Sequence, residues 1–329
     1  MAEVNFQLGT PAQNNPAGTS PATGHNAQPP VVDRSAASAA QQSVAINATT
    51  PAAYQSVSGL SEAEINDPNA IKVNITDSTS PIVILFGPPG CGKTMTLVRL
   101  ARYLRTIGFK LDPVSSFRPA FDTHYARMCQ AFPSMIGSDD AADSTQGISF
   151  MLVRVLDDKG RVKCQILEAP GEYYYDPNNS LEPNVGFPAY LNTIKNNKGR
   201  KIWCFMVEPK WQYLSQSSSY VEKIKKCKSF MRPADKVVFV LNKIDQTPFL
   251  ISPGEVNMKS ARKEVADLFP GIFALFQRRG VFGTSDNFSI VPFHTGDYSP
   301  KLYGGYSYQE GPDEYPRTLW KTIMALVRG

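Results

Sequence analysis

Five consecutive apolar residues, Ile82 to Phe86, run without a break into Gly87-Pro88-Pro89-Gly90-Cys91-Gly92-Lys93-Thr94, and an amphipathic stretch starts at once behind them. A short β-branched run bounded by glycine and proline reads as a buried strand, and the stretch from Met95 has helical period. The turn between them has the form GxxxxGK[ST] and must curl tightly at the mouth of a helix. Its glycines let successive amides point inward at an anion's oxygens, and the helix N-terminus adds partial positive charge. In that frame Lys93 reaches the β- and γ-phosphates of a nucleotide, and the Thr94 hydroxyl binds magnesium. Gly87, Pro88, Pro89, Gly90, Cys91, Gly92, Lys93 and Thr94 are therefore the expected phosphate-binding residues.

The remainder of 81–329 alternates short apolar runs with longer amphipathic ones, as a parallel sheet covered by helices requires. Strands are expected at 82–86, 148–156, 162–167, 202–207, 237–241 and 289–293, and helices at 95–106, 188–196, 216–230, 255–268 and 315–327. Asp157-Asp158-Lys159-Gly160 reads as a hairpin turn, so one strand should run against the others. Residues 1–59 are Ala, Pro, Asn, Gln, Ser, Thr and Gly with almost no charge, too little apolar surface to offset the entropy of ordering a backbone. The expected division is a disordered low-complexity tail over 1–75 and one α/β domain over 76–329, with an insertion at about 107–144. A short helical turn at 60–65, capped by Ser61 with Glu64 three residues on, is expected near the end of the tail.

Composition excludes several classes. No window approaches the ~18 apolar residues of a spanning helix, and residues 1–20 lack the basic start and apolar core of a secretory signal. The five cysteines, Cys91, Cys129, Cys164, Cys204 and Cys227, form no CxxC pair. Neither a disulfide framework nor structural zinc is expected, and the location expected is the reducing cytoplasm. The formal net charge is +5, yet six acids face two bases before Pro81, so the positive excess lies in the body. That suits a phosphate ligand or an acidic partner. The densest basic run, 223–232, lacks the interleaved aromatics of a nucleic-acid platform, so nucleic acid is not an expected partner. His25, His124 and His294 lack metal-binding spacing.

A phosphate loop alone does not separate ATPases, kinases and GTPases. The discriminating residues are Asn242-Lys243-Ile244-Asp245, directly behind the apolar run 237–241. A carboxylate at Asp245 can accept two hydrogen bonds from guanine, from the ring N–H and the exocyclic amine. Adenine presents an acceptor where guanine has that ring N–H, and a site built around a buried acceptor rejects the base that lacks the donor. Lys243 would lie along the base and Asn242 would brace the loops.

With both motifs in place, the chain resembles a P-loop GTPase of the TRAFAC class, which includes Ras-like and translation-factor G domains. The resemblance runs from Pro81 onward. It implies a P-loop NTPase three-layer sandwich, mostly parallel with one antiparallel hairpin strand, and GTP/GDP with Mg2+ as cofactors. It implies that Thr145 closes onto magnesium and the γ-phosphate, that Glu168-Ala169-Pro170-Gly171-Glu172 stands for the family's Asp-x-x-Gly loop, and that His294-Thr295-Gly296 is the base-side loop. On this reading the catalytic residues are Lys93, Thr145, Gly171 and Glu172, the metal is held by Thr94, Thr145 and Glu168, and the base side is Asn242, Lys243, Asp245, Thr295 and Gly296. A molecular switch read by a protein partner follows by the same resemblance. A further resemblance is to bacterial conflict-system GTPases, encoded beside partner proteins.

Two departures shape the expected chemistry. Glu168 replaces an Asp, placing its carboxylate one methylene further out. Glu172 stands where relatives carry the residue that orients water, and a carboxylate there adds repulsion to a transition state rich in negative charge. Slow Mg-dependent hydrolysis is expected. The alternatives are a scaffold that holds GTP without cutting it and, if Asp245 is coincidental, an ATP-dependent enzyme. Within the insertion, 122–132 reads as a helix with Tyr125, Met128 and Phe132 on one face. Arg118 and Arg127 lie in the same insertion, where an arginine could neutralise transition-state charge, although the surface reading is preferred for both. Cys91, near a helix N-terminus, could carry a lowered pKa, but the packing reading is preferred for it, with sensitivity to oxidation, and Tyr173-Tyr174-Tyr175 could face either the insertion or a partner.

Overall fold

The structure is a computed structural model describing residues 60–138, 150–171, 187–208, 217–280, 283–302 and 306–328. Among these, seven strands form one sheet: β1 (Ile82–Phe86), β2 (Lys110–Pro113), β3 (Met151–Leu156), β4 (Val162–Glu168), β5 (Lys201–Val207), β6 (Lys236–Leu241) and β11 (Ser289–Pro292). Their order is β11-β6-β5-β1-β4-β3-β2. β11, β6, β5, β1 and β4 pair in parallel, whereas β3 is antiparallel to both its neighbours. β3 is thus the one strand of this sheet that runs against the rest, as the hairpin at 157–160 requires. Every residue of β1 and β5 is buried. Neighbours on a strand point to opposite faces, so both faces of the sheet centre are covered, as parallel sheets demand.

The helices are α1 (Glu62–Asn66), α2 (Lys93–Thr106), α3 (Thr123–Gly137), α4 (Tyr190–Asn196), α5 (Ser217–Phe230), α6 (Met258–Leu268) and α7 (Glu314–Arg328). α2 packs against both α3 and α7. Phe86, Phe205, Trp203 and Tyr220 form an aromatic cluster between the sheet centre and α5, with Phe86 and Phe205 centroids 5.3 Å apart. The described residues also hold three two-stranded ribbons: β7 (Leu250–Ser252) with β8 (Glu255–Val256), β9 (Gln277–Gly280) with β10 (Gly283–Asp286), and β12 (Gly296–Pro300) with β13 (Tyr306–Glu310).

Several expectations are corrected. Residues 60–75, expected within a disordered tail over 1–75, are folded: Leu60 and Ile71 are core residues, and α1 carries the full Ser61–Glu64 capping box. The insertion at 107–144 is partly sheet, because β2 pairs with β3 and forms the sheet's edge. The helix expected at 255–268 starts only at Met258. Asn257 caps it by accepting from the Ser260 amide at 3.1 Å, and Glu255–Val256 folds back on Leu250–Ser252 instead. α3 runs past the expected end at 132, through Pro133 to Gly137, with Tyr125, Met128 and Phe132 all buried. Residues 1–59, Thr145, Glu172 and Tyr173-Tyr174-Tyr175 lie outside the described residues.

Candidate functional site

Because β1, β4, β5, β6 and β11 are parallel, their carboxyl ends meet along one edge of the sheet, the place where open α/β sheets take ligands. From these ends emerge Gly87, Glu168, Glu208, Asn242 and His294, in loops that sequence separates by up to some two hundred residues. The turn from Gly87 to Gly92 leads directly into α2, and Gly92 is its N-cap at φ +86°. A Cβ on Gly92 would lie 2.2 Å from Asn242 Nδ2, so both the left-handed backbone and the close approach require glycine.

Asn242 ties the two halves of this edge together. Its Nδ2 donates to the Cys91 carbonyl at 2.8 Å, while its backbone amide donates to Val207 O at 2.8 Å. Lys243, the one described non-glycine residue at positive φ (+56°), pairs through its ammonium with the buried Glu208 carboxylate. Lys93 is buried and donates to Pro88 O at 2.9 Å. The turn after β4 comes close to the same loop: a Cβ on Gly171 would meet Pro89 N at 2.3 Å and Lys93 Nζ at 2.7 Å. The Thr94 hydroxyl donates to Glu168 Oε1 at 2.8 Å, which leaves the lone pairs of Oγ1 available to a cation. A neighbouring hydroxyl and carboxylate, both hard oxygen ligands, fit Mg2+, which takes one or two protein oxygens and fills the rest of its octahedron from phosphate and water.

Beside this phosphate side lies a cavity of about 510 Å3 lined by Gly90, Gly92, Met95, Asn242, Lys243, Asp245, Gln246, Thr295, Gly296, Asp297 and Tyr298. The structure thus brings Asp245 and the loop at Thr295 and Gly296 to one cavity wall. His294 is buried, with Nε2 3.7 Å from Asp245 Oδ1 and 3.6 Å from Asp297 Oδ1. The Tyr298 hydroxyl hydrogen-bonds Thr295 Oγ1 at 3.0 Å, and burial raises its pKa against the lowering effect of that bond.

Burial decides two sequence candidates. Cys91 is fully buried, and burial pushes its thiol up to about 11, outweighing the nearby Lys93, in keeping with the packing reading and against a lowered value at the helix N-terminus. Arg118 is not a surface residue: Nε donates to Asp122 at 2.9 Å, NH1 to Lys72 O at 2.9 Å, and NH2 to both Glu64 oxygens at 2.8 and 2.9 Å. With four of its five N–H donors spent this way and its side chain buried, this guanidinium pins α1 to the insertion rather than reaching a phosphate. Arg127 is exposed and donates to Thr123 O of its own helix. Sequence reasoning missed Glu208 and Tyr298. The signal for Glu208 was a carboxylate closing an otherwise apolar strand at the sheet's carboxyl edge. For Tyr298, an isolated aromatic in a turn-rich stretch, there was none.

No protein-family model and no curated protein matches the chain. Among solved structures it is similar to nucleolar GTP-binding protein 1 from Plasmodium falciparum, at 13% identity and TM-score 0.37, covering 78% of this chain and 90% of that one. It is also similar to the Ski7 GTPase-like domain of S. cerevisiae bound to GDP and inorganic phosphate, at 14% identity and TM-score 0.37, covering 76% of this chain and 50% of that one. Roco2 of Methanosarcina barkeri bound to GDP gives 11% identity and TM-score 0.30, covering 78% of this chain and 52% of that one. Likenesses this distant say nothing of this chain's activity. No helix among the described residues is long and apolar enough to cross a membrane.

Proposed function

We propose that this chain is a guanine-nucleotide-binding protein of the P-loop GTPase design, taking GTP and GDP with Mg2+ and hydrolysing GTP slowly. The observation that carries the reading is the Asn242–Cys91 hydrogen bond, which makes the turn at 87–94 and the base-side loop at 242–245 a single site. Lys93 exchanges its Pro88 carbonyl for phosphate oxygens, Asp245 reads the guanine N–H groups, and Glu208 holds Lys243 in place along the base. Thr94 and Glu168 would hold a magnesium ion, joined by Thr145 on the family resemblance, and charge on the β- and γ-phosphates would be neutralised there. Gly171, close to Pro88 and Pro89, senses the γ-phosphate, and the loops around Thr145 and Gly171 switch with it to address a protein partner. The sequence resemblance to bacterial conflict-system GTPases, encoded beside partner proteins, suits such a partner-dependent role.

A second reading, retention of GTP without turnover, is favoured by the carboxylate of Glu168 buried at this edge, with Glu172 close by in sequence. Negative charge beside the γ-phosphate opposes the charge that develops in transfer. Calorimetry with GTP, GDP and ATP tests the shared premise: guanine nucleotides should bind and ATP should not. Equal binding of ATP would make Asp245 coincidental and return the site to the ATP-dependent enzymes. Single-turnover hydrolysis then separates a slow GTPase from a scaffold.

A further inference from the structure

The β12–β13 ribbon follows the base-side loop directly and is built to hold one aromatic ring at the cavity. Tyr298, on β12, lines that cavity, yet it remains 41% exposed, unlike the core aromatics. Its ring packs on Tyr308 of β13, centroids 5.5 Å apart, and its hydroxyl is bonded to Thr295. Tyr308 is fixed in turn, donating to the Thr295 carbonyl at 2.6 Å and lying under the Arg102 guanidinium at 4.9 Å.

The ribbon is also anchored to α2, the helix that opens at the phosphate loop. Arg99, almost wholly buried, donates to Gly311 O at 2.7 Å and pairs with Glu310 at 3.0 Å and Asp313 at 2.5 Å. Arg102 pairs with the other Glu310 oxygen at 3.0 Å. Two arginines one helical turn apart therefore hold the ribbon against the phosphate-loop helix. An aromatic ring that is exposed, lines a cavity, and has its hydroxyl, its neighbour and its backbone restrained is preorganised for a flat ligand.

We propose that Tyr298 is the aromatic wall on which the nucleotide base lies, a contact that supplies affinity without choosing the base. The proposal rests on the guanine-nucleotide reading and deepens it by dividing the labour: Asp245 selects guanine through hydrogen bonds, while Tyr298 holds any purine through its face. Every base has a π-face, so stacking is tolerant of sequence, and truncating such a platform weakens binding about five- to a hundredfold.

The test measures GDP affinity by calorimetry in the full chain with Tyr298→Ala and Tyr298→Phe. Tyr298→Ala should weaken GDP by about five- to a hundredfold, and Tyr298→Phe, which keeps the ring and loses only the Thr295 hydrogen bond, should stay within about threefold of wild type. Pyrophosphate affinity should be the same in all three proteins. In an Asp245→Asn background probed with XDP, Tyr298→Ala should cause the same fold-loss as it does for GDP. Unchanged GDP affinity in Tyr298→Ala, in a protein where Asp245→Asn still weakens GDP, overturns the proposal and leaves the guanine reading standing. An equal loss of pyrophosphate affinity also overturns it, since the tyrosine would then act on the phosphate loop. Failure of the wild type to bind any guanine nucleotide overturns both.

Discussion

At the scale of single residues, what decides this site is which groups meet at the carboxyl edge of the sheet. Asp245 shares one cavity wall with Thr295 and Gly296, so Asp245→Asn should lower guanine affinity by about ten- to a hundredfold, the worth of one charge-assisted acceptor, and shift preference toward xanthine nucleotides. Competition binding with GDP and XDP checks both parts. Lys93→Ala should lose most triphosphate affinity in a protein that unfolds at nearly the wild-type denaturant midpoint; unaltered GTP binding would remove the phosphate-loop assignment. Cys91 gives a prediction of opposite character. With its thiol raised to about 11 by burial, only about one part in a thousand is thiolate at pH 8, and thiolate is the form that reacts. Reactivity should rise only as pH approaches 11, so Cys91 should stay unmodified when native protein is treated with iodoacetamide at pH 8 and react after unfolding, as read by mass spectrometry. The sequence made Lys93, Asn242 and Asp245 legible because each sits at a set distance from a recognisable strand. The burial that raises the Cys91 thiol comes from residues far away in the chain, such as Asn242, which donates to its carbonyl, and no local spacing encodes it.

Elements show the same division between local and distant causes. The strands of the sheet centre were readable because burial on both faces leaves an unbroken apolar run, and α2 because its apolar residues recur at helical period. β2 was not: Lys110-Leu111-Asp112-Pro113 is half polar, and it becomes a strand only by pairing with β3 at the sheet's edge. The β12–β13 ribbon escaped for a related reason, since its order comes from Arg99 and Arg102 on a helix some two hundred residues earlier. Residues 60–75 were assigned to the tail for the same reason. Leu60 and Ile71 look like stray apolar residues in a polar stretch until Glu64 is seen to hold Arg118. That clasp is testable. Glu64 and Asp122 are buried around one guanidinium, so Arg118→Met should leave two carboxylates without their partner and cost about 3–5 kcal/mol. Urea unfolding should show the loss, and hydrogen exchange should speed up over residues 60–75 before it does so in β1 and β5. A protein of unchanged stability would mean that the segment is held by its apolar contacts alone.

For the whole molecule, the consequence is that a ligand at the sheet's edge touches residues from Gly90 to Tyr298, which lie together only in the folded state. The unfolded chain scatters these groups and has nothing with which to compete. A nucleotide that binds only the native state stabilises it by RT ln(1 + [L]/Kd), or about 2.7 kcal/mol at a concentration one hundred times Kd. Each kcal/mol moves the melting temperature of a domain this large by roughly 2–4 °C, so GDP with magnesium should raise it by roughly 5–10 °C. ADP at the same concentration should leave it unmoved, because adenine offers Asp245 no donor. Asn242→Ala sharpens the test, since Asn242 is the bridge between the phosphate loop and the base-side loop. Without that bridge each loop still folds on its own strand, so the ligand-free melting temperature should fall by only a few degrees, the cost of about one hydrogen bond. The GDP-induced rise should shrink far more, because phosphate and base are then held by two loops no longer fixed to each other. Scanning fluorimetry on wild type and variant, each without ligand, with GDP and with ADP, reads these quantities. A rise that survives Asn242→Ala in full would mean that the two loops act as separate sites, and an equal rise with ADP would mean that Asp245 does not read the base.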